Sequence, residues 1–463
     1  MLRGDRAERR ANLLWILAAV AITIPVVGLA MIDVKMSIIV VGVLIAAVTL
    51  PHMRLYVALA ALMLPLSPVA IISGPGLVFP VGDVMALVGI LSFCLARRNR
   101  PLMPGTGTPW GSILGAILPG LALIAPYPLF ALYNGAANNL GQNTTVVIQR
   151  TEIVVLWLLF GAAVWRAGMI RTFLKWFVVS TSALSLAWIA TPGTASVFGM
   201  QKNSCGGYIA TGVLIVLLSG LKGKYRLPLL ALLAAGLIST GSRGSITGLA
   251  VATAILIVYK SQWKRVVLPL AATCGLGFGI LYLLPEEVQA RLLSQNEAGQ
   301  FNIDIRGLFM RDALAQWEPY PWTGIGVGNY RQRSPGLQQV QTYDPHNVYV
   351  LALTEGGYIL AGAFILMVAG TLFWILRKRT TNLTILAITI QVAIMAHSYV
   401  DVYWVRGTPS AGWFLLGAAA MAAYAARKNP SLEEAKPITR DAAASPRVPR
   451  PYERLATRGN AIR

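Results

Sequence analysis

The chain has 463 residues, of which 56% are hydrophobic and 12% are charged, and its mean hydropathy is +0.62. This composition excludes a soluble multidomain protein and predicts an all-α integral membrane protein whose core is a polytopic bundle of packed helices. The formal net charge of +21 is large enough to suggest a nucleic-acid partner, so its distribution along the chain has to decide what it means.

Apolar stretches of roughly 14 to 30 residues, separated by short polar or Pro/Gly turns, follow one another along the chain. Several of them, including 37–50 and 226–241, are shorter than the ~20 residues that cross a bilayer upright. We therefore expect a bundle of about 12, and at most 14, transmembrane helices. The stretches are 11–32, 37–50, 54–73, 81–96, 112–133, 150–165, 171–191, 204–220, 226–241, 244–260, 264–284, 347–376, 383–405 and 409–426.

The basic residues indicate which side of the membrane each loop faces. If the arginine-rich N-terminus is cytoplasmic, alternation of the spans places most of the 39 lysines and arginines on that same side, as the positive-inside rule requires. The charge therefore reports membrane topology rather than nucleic-acid binding, and both termini are expected in the cytoplasm. The chain divides into N-terminal transmembrane helices over 1–284, an exported polar loop over 285–345, C-terminal transmembrane helices over 346–426 and a tail over 427–463. The tail is rich in Ala, Pro and Arg and is expected to be disordered.

The positive-inside rule disfavours arginines on the exported side, so each arginine predicted there requires an explanation. Arg243 lies in the turn Gly241-Ser242-Arg243-Gly244-Ser245, Arg150 opens a span, and Arg306 and Arg311 lie in the exported loop. A guanidinium group stays charged and matches the geometry of phosphate oxygens. These four arginines therefore suit a lipid-linked phosphate at the membrane surface.

A purely structural explanation stays open for some of these arginines. Arg150 could pair with Glu152 or snorkel to the interface, and Arg406 could pair with Asp401. The small residues around Arg243 favour a phosphate contact there, because they let the backbone and an anion approach closely.

Two short helices on the membrane surface are predicted in the exported loop, over 285–295 and 302–318. In the second, Asp304 and Arg311 are seven residues apart and share a face, so Asp304 is expected to orient Arg311. Arg306 lies about 140° around the helix from Arg311. The two arginines would contact one ligand only if the helix broke between them, and at least one is expected to be exposed.

A glycine run, Gly324-Ile325-Gly326-Val327-Gly328-Asn329-Tyr330, follows this helix and superficially resembles a nucleotide-binding loop. No parallel strand precedes it, and the topology places it outside the cell, where nucleotides are scarce. We interpret the run as a compact turn that brings the loop back over the bilayer.

His346 stands where the exported loop meets the next span. An imidazole can take a proton from a sugar hydroxyl as that hydroxyl attacks, which is the usual contribution of a general base. The His346-Asn347 pair could instead cap the helix, although Asn347 alone can do so and leave His346 facing the cavity under the loop. His397 precedes Asp401 by four residues on the same helical face, which indicates a supporting or structural pair.

The exported segments contain no Asp-x-Asp pair, no His-Glu-x-x-His motif and no cluster of carboxylates. Neither a metal site nor a cofactor is therefore predicted. The cysteines, Cys94, Cys205 and Cys274, lie far apart in or near apolar spans, so no disulfide is predicted. Arginines would then have to stabilise an anionic leaving group without a metal ion.

Several motifs together resemble those of one known family. In chain order they are Asn203, the Ser242-Arg243-Gly244 turn, Arg306, Trp317, Pro321, the glycine run 324–330, His346-Asn347 and Gly356-Gly357. They resemble the signature region of the O-antigen ligase and polymerase family. Leu360 departs from the pattern, because it stands where a smaller residue is expected.

The resemblance implies a glycosyltransferase of the bacterial inner membrane with a GT-C type of fold, acting in lipopolysaccharide biosynthesis. Members of the family transfer a glycan from undecaprenyl diphosphate, in the periplasmic leaflet, to an acceptor sugar. For this chain the implied acceptor is a hydroxyl of lipid A-core. The resemblance also implies independence of nucleotide sugars and metal, and inversion at the anomeric carbon.

Roles for individual residues follow from the same resemblance. His346 would be the base that activates the acceptor hydroxyl. Arg243, Arg306 and Arg311, with Arg150, would hold the diphosphate and stabilise its developing charge. Supporting positions would be Asn347, Asn203 and Asp401.

Alternatives remain open at this point. An O-antigen polymerase and a protein O-oligosaccharyltransferase would share this chemistry and differ in the acceptor, and the single long exported loop favours the ligase. A lipid-linked glycan transporter belongs to a different class and would place ionisable groups near the bilayer midplane. Here the charges gather at the outer rim of the spans, which favours an enzyme acting at the membrane surface.

Overall fold

A computed structural model describes residues 52–68, 71–74, 77–95, 109–138, 140–191, 196–218, 225–260, 297–330, 345–377, 381–401 and 408–428, together with a few single positions. Several predictions lie outside these described residues. They concern the spans 11–32, 37–50 and 264–284, nearly all of the loop helix 285–295, the side chains of Cys274 and Arg406, and the tail beyond residue 428.

Most of the described chain is helical. The helices are α1 Met53–Met63, α2 Val81–Leu95, α3 Pro109–Ile124, α4 Pro126–Asn138, α5 Leu140–Arg166, α6 Ile170–Ala190, α7 Lys202–Leu218, α8 Arg226–Thr240, α9 Arg243–Lys260, α10 Glu297–Trp317, α11 Val348–Ile365, α12 Thr371–Leu376, α13 Asn382–Val400 and α14 Ser410–Lys428. A 3₁₀ turn, Leu64–Leu66, follows α1, and a π-helical turn, Leu366–Gly370, joins α11 to α12. Two antiparallel hairpins complete the described fold, β1 Ile71–Gly74 with β2 Leu77–Pro80 and β3 Ser196–Val197 with β4 Met200–Gln201.

Within the described residues, four helical segments are long and apolar enough to cross a membrane. They are Thr145–Arg166, Ile170–Ala190, Val348–Leu376 and Asn382–Val400, and the bent pair Trp110–Ile124 with Pro126–Asn134 would make a fifth span. Shorter apolar helices of 10–17 residues accompany them, including α2, α7, α8 and α9. The architecture is that of an all-α membrane protein, while the bundle of about 12 spans and the GT-C type of fold stay predictions.

The interior of the bundle is built around α14, in which nearly every residue is buried. This helix crosses α5 at close range because both helices place glycine at the contact. A Cβ atom on Gly161 would overlap the carbonyl group of Phe414, and one on Gly417 would overlap that of Leu158. Small residues let helix backbones approach in this way where lipid provides no hydrophobic drive for association.

Proline changes two of the predicted spans. The predicted stretch 54–73 is not one helix, because α1 ends at Met63, Pro65 lies in the 3₁₀ turn, and the chain then enters β1. The predicted stretch 112–133 is divided between α3 and α4, which meet at an angle of 40° just before Pro126. Proline lacks the backbone N–H that a continuing helix requires.

The exported loop contains a longer helix than predicted. The predicted helix 302–318 is the 21-residue α10, which begins at Glu297 and continues without a break through Gly307. Continuity through Gly307 keeps Arg306 and Arg311 on different faces of the helix. Arg311 is exposed and Arg306 is partly buried, so the expectation that one of them is exposed is confirmed.

A backbone kink in α11 accommodates the end of this loop. Gly357 has φ +61 inside the helix, in the left-handed region that favours glycine. A Cβ atom there would overlap the backbone of Trp322, and the amide of Tyr358 donates to the carbonyl of Pro321 at 2.9 Å. The kink therefore lets the segment after α10 lie directly against α11.

Candidate functional site

A histidine–aspartate pair joins the beginning of α11 to the end of α13. His346 Nδ1 lies 2.9 Å from Asp401 Oδ1, and the two side chains are 15% and 11% exposed. If Nδ1 carries the proton of a neutral imidazole and donates it to Asp401, Nε2 is left as an acceptor. This is the arrangement that a general base needs.

The local sequence explains how His346 reaches this position. The Asn347 side chain caps α11, accepting hydrogen bonds from the amides of Tyr349 at 2.9 Å and Val350 at 3.1 Å, so the capping role predicted for Asn347 is confirmed. His346 itself has φ +51, a conformation that is uncommon for residues with a side chain and that clusters at functional sites. Because Asn347 caps α11, the imidazole of His346 is not needed as a cap and contacts Asp401 at the end of α13.

Asp401 is buried and carries its charge next to three nitrogen-containing side chains. Burial raises the pKa of Asp401, but the hydrogen bond with His346 and the electrostatic effects of His397, His346 and Arg306 outweigh it and hold the pKa below its ordinary value of 3.8. His397 Nε2 lies 4.0 Å from Asp401 Oδ2, which agrees with the predicted pair. Asp401 is therefore ionised at neutral pH and faces the imidazole as a carboxylate.

The beginning of α9 brings Arg243 to the same end of the bundle. A Cβ atom on Gly244 would lie 2.5 Å from the His397 ring and 2.9 Å from the Val400 side chain, so glycine is needed for α9 to contact α13 here. The hydroxyl of Ser245 reaches the carbonyl of Asn203 at 3.4 Å. The start of α9 is consequently fixed against both the end of α13 and the start of α7, where Asn203 supports it through its backbone.

Helix α10 covers this meeting point. Arg306 Nη1 donates to the carbonyl of Val400 at 3.2 Å, which holds the guanidinium group next to Asp401. The ring of Phe309, which is fully buried, lies 6.2 Å from that of His346. Arg311 is on the exposed face of α10, and its phosphate contact stays a prediction. Orientation of Arg311 by Asp304 stays a prediction.

Lys202 also belongs to this group, although our sequence reasoning did not single it out. Its ammonium group lies within electrostatic reach of Arg243, Arg306 and Asp401, and it is the first residue of α7. The signal was available, because Lys202 is a basic residue on the exported side just before Asn203 and stands against the same topological bias as the arginines. We call Lys202, Arg243 and Arg306 the cation cluster.

Arg150 pairs with an acid that is distant in sequence, which settles one of the alternatives left open above. It pairs with Glu355 rather than with Glu152, through contacts of 2.6 Å and 3.4 Å to the two carboxylate oxygens. Glu355 thus occupies both nitrogens of the guanidinium fork, and the role of Arg150 as a diphosphate ligand stays a prediction. We call Arg150 and Glu355 the buried clamp.

The buried clamp fastens the glycine run to α11. Glu355 Oε1 accepts the amide of Gly328 at 2.9 Å, and the backbone carbonyl of Glu355 accepts that of Gly326 at 2.8 Å. Gly324, Gly326 and Gly328 all have positive φ, which glycine adopts readily. The predicted compact turn is therefore confirmed.

No three His, Cys, Asp or Glu side chains converge in a way that could hold a metal ion among the residues that the structure describes. The group around His346 instead combines one carboxylate, two imidazoles and three cationic side chains. Such a group can orient an imidazole, attract an anion and neutralise charge on a leaving group.

The fold and this site define a polytopic helical membrane protein with a polar, cation-rich site at one end of its bundle. Residues 228–365 match a family model described as O-antigen ligase. This match covers less than half of the chain and confirms the family resemblance over that segment, and members of that family are glycosyl-transfer enzymes. The matched segment contains Arg243, Arg306 and His346, whereas Lys202 and Asp401 lie outside it. No curated protein matches the chain.

Proposed function

We propose that the chain is an O-antigen ligase, which transfers a glycan from undecaprenyl diphosphate to a sugar hydroxyl of lipid A-core. The observation that carries this proposal is the 2.9 Å contact between His346 Nδ1 and Asp401, because it directs Nε2 of the imidazole away from the carboxylate. The family match supports the reaction class. The choice of donor and acceptor rests on the resemblance.

In the proposed reaction, His346 Nε2 takes the proton of the acceptor hydroxyl as the hydroxyl oxygen bonds to the anomeric carbon of the donor glycan. The bond between that carbon and the diphosphate oxygen breaks, and its electron pair leaves with undecaprenyl diphosphate. Attack from the side opposite the leaving group inverts the anomeric centre. Asp401 keeps the imidazole oriented and stabilises its positive charge, as the carboxylate of a catalytic triad does.

Arg243 and Arg306 would stabilise the charge that develops on the diphosphate. Both lie at the same end of the bundle as His346, and Arg306 is held in place by its bond to Val400. Neither a cofactor nor a metal ion has a role in the proposal. The proposed location is the bacterial inner membrane, with the site facing the periplasm, both termini in the cytoplasm and membrane lipids as the surroundings.

A transfer assay tests the proposal. Purified wild type, His346→Ala and the control His52→Ala are given undecaprenyl-diphosphate glycan and lipid A-core in the presence of EDTA. His52 is an exposed histidine at the start of α1, so its loss should leave transfer unchanged. Loss of the general base should reduce the rate by a factor on the order of 10²–10⁴. Equal rates for wild type and His346→Ala would exclude His346 as the base.

The acceptor is tested in the same assay. A polymerase would extend the lipid-linked glycan itself, and a protein O-oligosaccharyltransferase would modify a protein hydroxyl. Product on either of these acceptors, with none on lipid A-core, would keep the glycosyl transfer and replace the ligase assignment. Absence of transfer to all three acceptors by intact wild-type protein would contradict the proposed enzyme class and favour a transporter.

A further inference from the structure

The three side chains of the cation cluster come from three different helices and meet around one carboxylate. Lys202 begins α7, Arg243 begins α9 and Arg306 lies in α10. The charges that act on Lys202 are those of Arg243, Arg306 and Asp401. Three positive charges therefore act on one another near the carboxylate of Asp401.

This positive charge is not compensated by the described part of the protein. There, the ion pairs join Arg150 with Glu355 and Asp401 with the two imidazoles of His346 and His397. None of them involves Lys202, Arg243 or Arg306, and the Arg306 guanidinium donates to the backbone carbonyl of Val400 rather than to a carboxylate. Among the described residues, the cation cluster with Asp401 thus carries a surplus of two positive charges.

Like charges repel, and partial removal from water raises the cost of holding them together. Lys202 and Arg306 are partly buried, so this cost is not removed by solvent. An anion between the three side chains would relieve it, particularly one that carries two negative charges. A diphosphate esterified at both ends, as in a lipid-linked glycan, carries one negative charge on each phosphate.

The backbone that carries Lys202 is held by contacts on both sides of this residue. The β3–β4 hairpin leads directly into α7, with Val197 paired to Met200. One residue after Lys202, the carbonyl of Asn203 contacts the hydroxyl of Ser245 in α9. The start of α7 is therefore tied to the start of α9, which fixes the position of Lys202 relative to Arg243.

We propose that Lys202 is a third cationic ligand of the donor diphosphate, beside Arg243 and Arg306. The identity of the ligand rests on the proposed function, whereas the existence of an anion site rests on the charges and contacts of the cation cluster. Arginine contributes a planar fork that can bind two oxygens, and lysine contributes a compact point charge. Lys202 would thus neutralise one phosphate without dictating its orientation.

Inorganic pyrophosphate is a suitable probe, because its binding does not depend on glycan transfer. Affinity is measured by calorimetry, in detergent with EDTA present, for wild type, Lys202→Met, Lys202→Arg and the control Lys175→Met. Lys175 is an exposed lysine near the start of α6, at the other end of the bundle. We expect Lys202→Met to weaken pyrophosphate binding about tenfold or more, since a charge-assisted contact is lost. Lys202→Arg should retain most of the affinity, and Lys175→Met all of it.

Unchanged pyrophosphate affinity in Lys202→Met would overturn the proposal. Should Lys202→Met fail to fold, chemical acetylation of the wild type gives the answer instead, with the modified lysines identified by mass spectrometry. Pyrophosphate should slow acetylation of Lys202 and leave that of Lys175 unchanged. Equal acetylation of Lys202 with and without pyrophosphate would overturn the proposal as well.

The same variants separate this inference from the proposed function. His346→Ala should bind pyrophosphate like the wild type, because His346 is assigned to the acceptor and not to the diphosphate. With lipid-linked donor, Lys202→Met should raise the KM for the donor by a similar factor. Pyrophosphate binding that depends on Lys202, in a protein without glycosyl transfer, would support the anion site and contradict the ligase.

Discussion

The buried clamp and the cation cluster place the same kind of residue in opposite situations. Arg150 of the clamp has a buried carboxylate, Glu355, bound to both ends of its guanidinium fork. Arg243 of the cluster is exposed and has no ion pair among the described residues. In sequence, both are arginines on the exported side that open a helical span.

The difference shows how a structural arginine is distinguished from one available to a ligand. A charge that the protein neutralises itself can hold two segments together, and Arg150 does so by orienting the carboxylate that binds Gly328. A charge without an internal partner keeps its capacity to bind an anion from outside. This comparison predicts that changes in the clamp alter stability and that changes in the cluster alter binding and transfer.

The largest effect is expected in the clamp. Glu355→Ala leaves the buried Arg150 without its carboxylate, and removing one partner of a buried ion pair costs about 3–5 kcal/mol. The free energy of unfolding in detergent should fall by that amount, whereas the exposed Glu318→Ala at the end of α10 should leave it unchanged. The double variant Arg150→Met/Glu355→Met should recover part of the loss, because an apolar pair needs no charge compensation, whereas the Gly328 amide still lacks its acceptor. A double variant as unstable as Glu355→Ala would contradict this explanation.

A somewhat smaller effect, on transfer rather than stability, is expected in the cluster. Arg243→Gln should lower the transfer rate by a factor on the order of 10²–10³, the usual loss when one stabilising donor is removed. Its unfolding temperature should match that of the wild type. Arg54→Gln is the matched control, because Arg54 is an exposed arginine near the start of α1, and its transfer rate should change less than about twofold. Equal losses of transfer rate in Arg243→Gln and in the control would contradict the assignment of Arg243 to the cation cluster's anion site.

The smallest effect is a pH dependence of stability that originates in Asp401. Its pKa in the folded protein lies below the ordinary value of 3.8, since His346, His397 and Arg306 favour the carboxylate over its burial. A carboxyl group whose pKa is lower in the folded protein than in the unfolded chain stabilises the fold. This contribution is fully present above the unfolded-state pKa and is lost as the pH falls through the folded-state pKa. The loss of unfolding temperature caused by Asp401→Asn should therefore be present above about pH 4 and shrink at lower pH. A constant difference down to pH 2 would show that the charge of Asp401 is not responsible.

Local features of the chain were predictable because their partners lie within a few residues. The Asn347 cap depends on the amides of the next three residues, and the turn at 324–330 depends on the positive φ that its glycines permit. The separation of Arg306 from Arg311 follows from the helical repeat alone. The bounds of α6 and the beginning of α13 similarly follow from the apolar stretches that form these helices.

Other predictions failed where distant residues or a proline decided the outcome. The pairing of Arg150 with Glu355 joins residues 205 positions apart, and a nearby acid such as Glu152 was the natural expectation. Pro65 and Pro126 interrupt stretches whose hydropathy alone predicts continuous spans. A hydropathy profile reflects the apolar character of the side chains. It gives no information about the backbone N–H that proline lacks.

The sequence by itself determined the membrane class, the positions of several helix ends and the residues able to supply a base or bind a phosphate. These properties depend on apolar length, helical period and side-chain chemistry, all of which are local. Only the tertiary structure decided which of the candidates meet. His346 contacts Asp401, Lys202 joins Arg243 and Arg306, and Arg150 is diverted to Glu355. Those outcomes depend on how helix ends pack against one another, and the spacing of residues along the chain does not encode that packing directly.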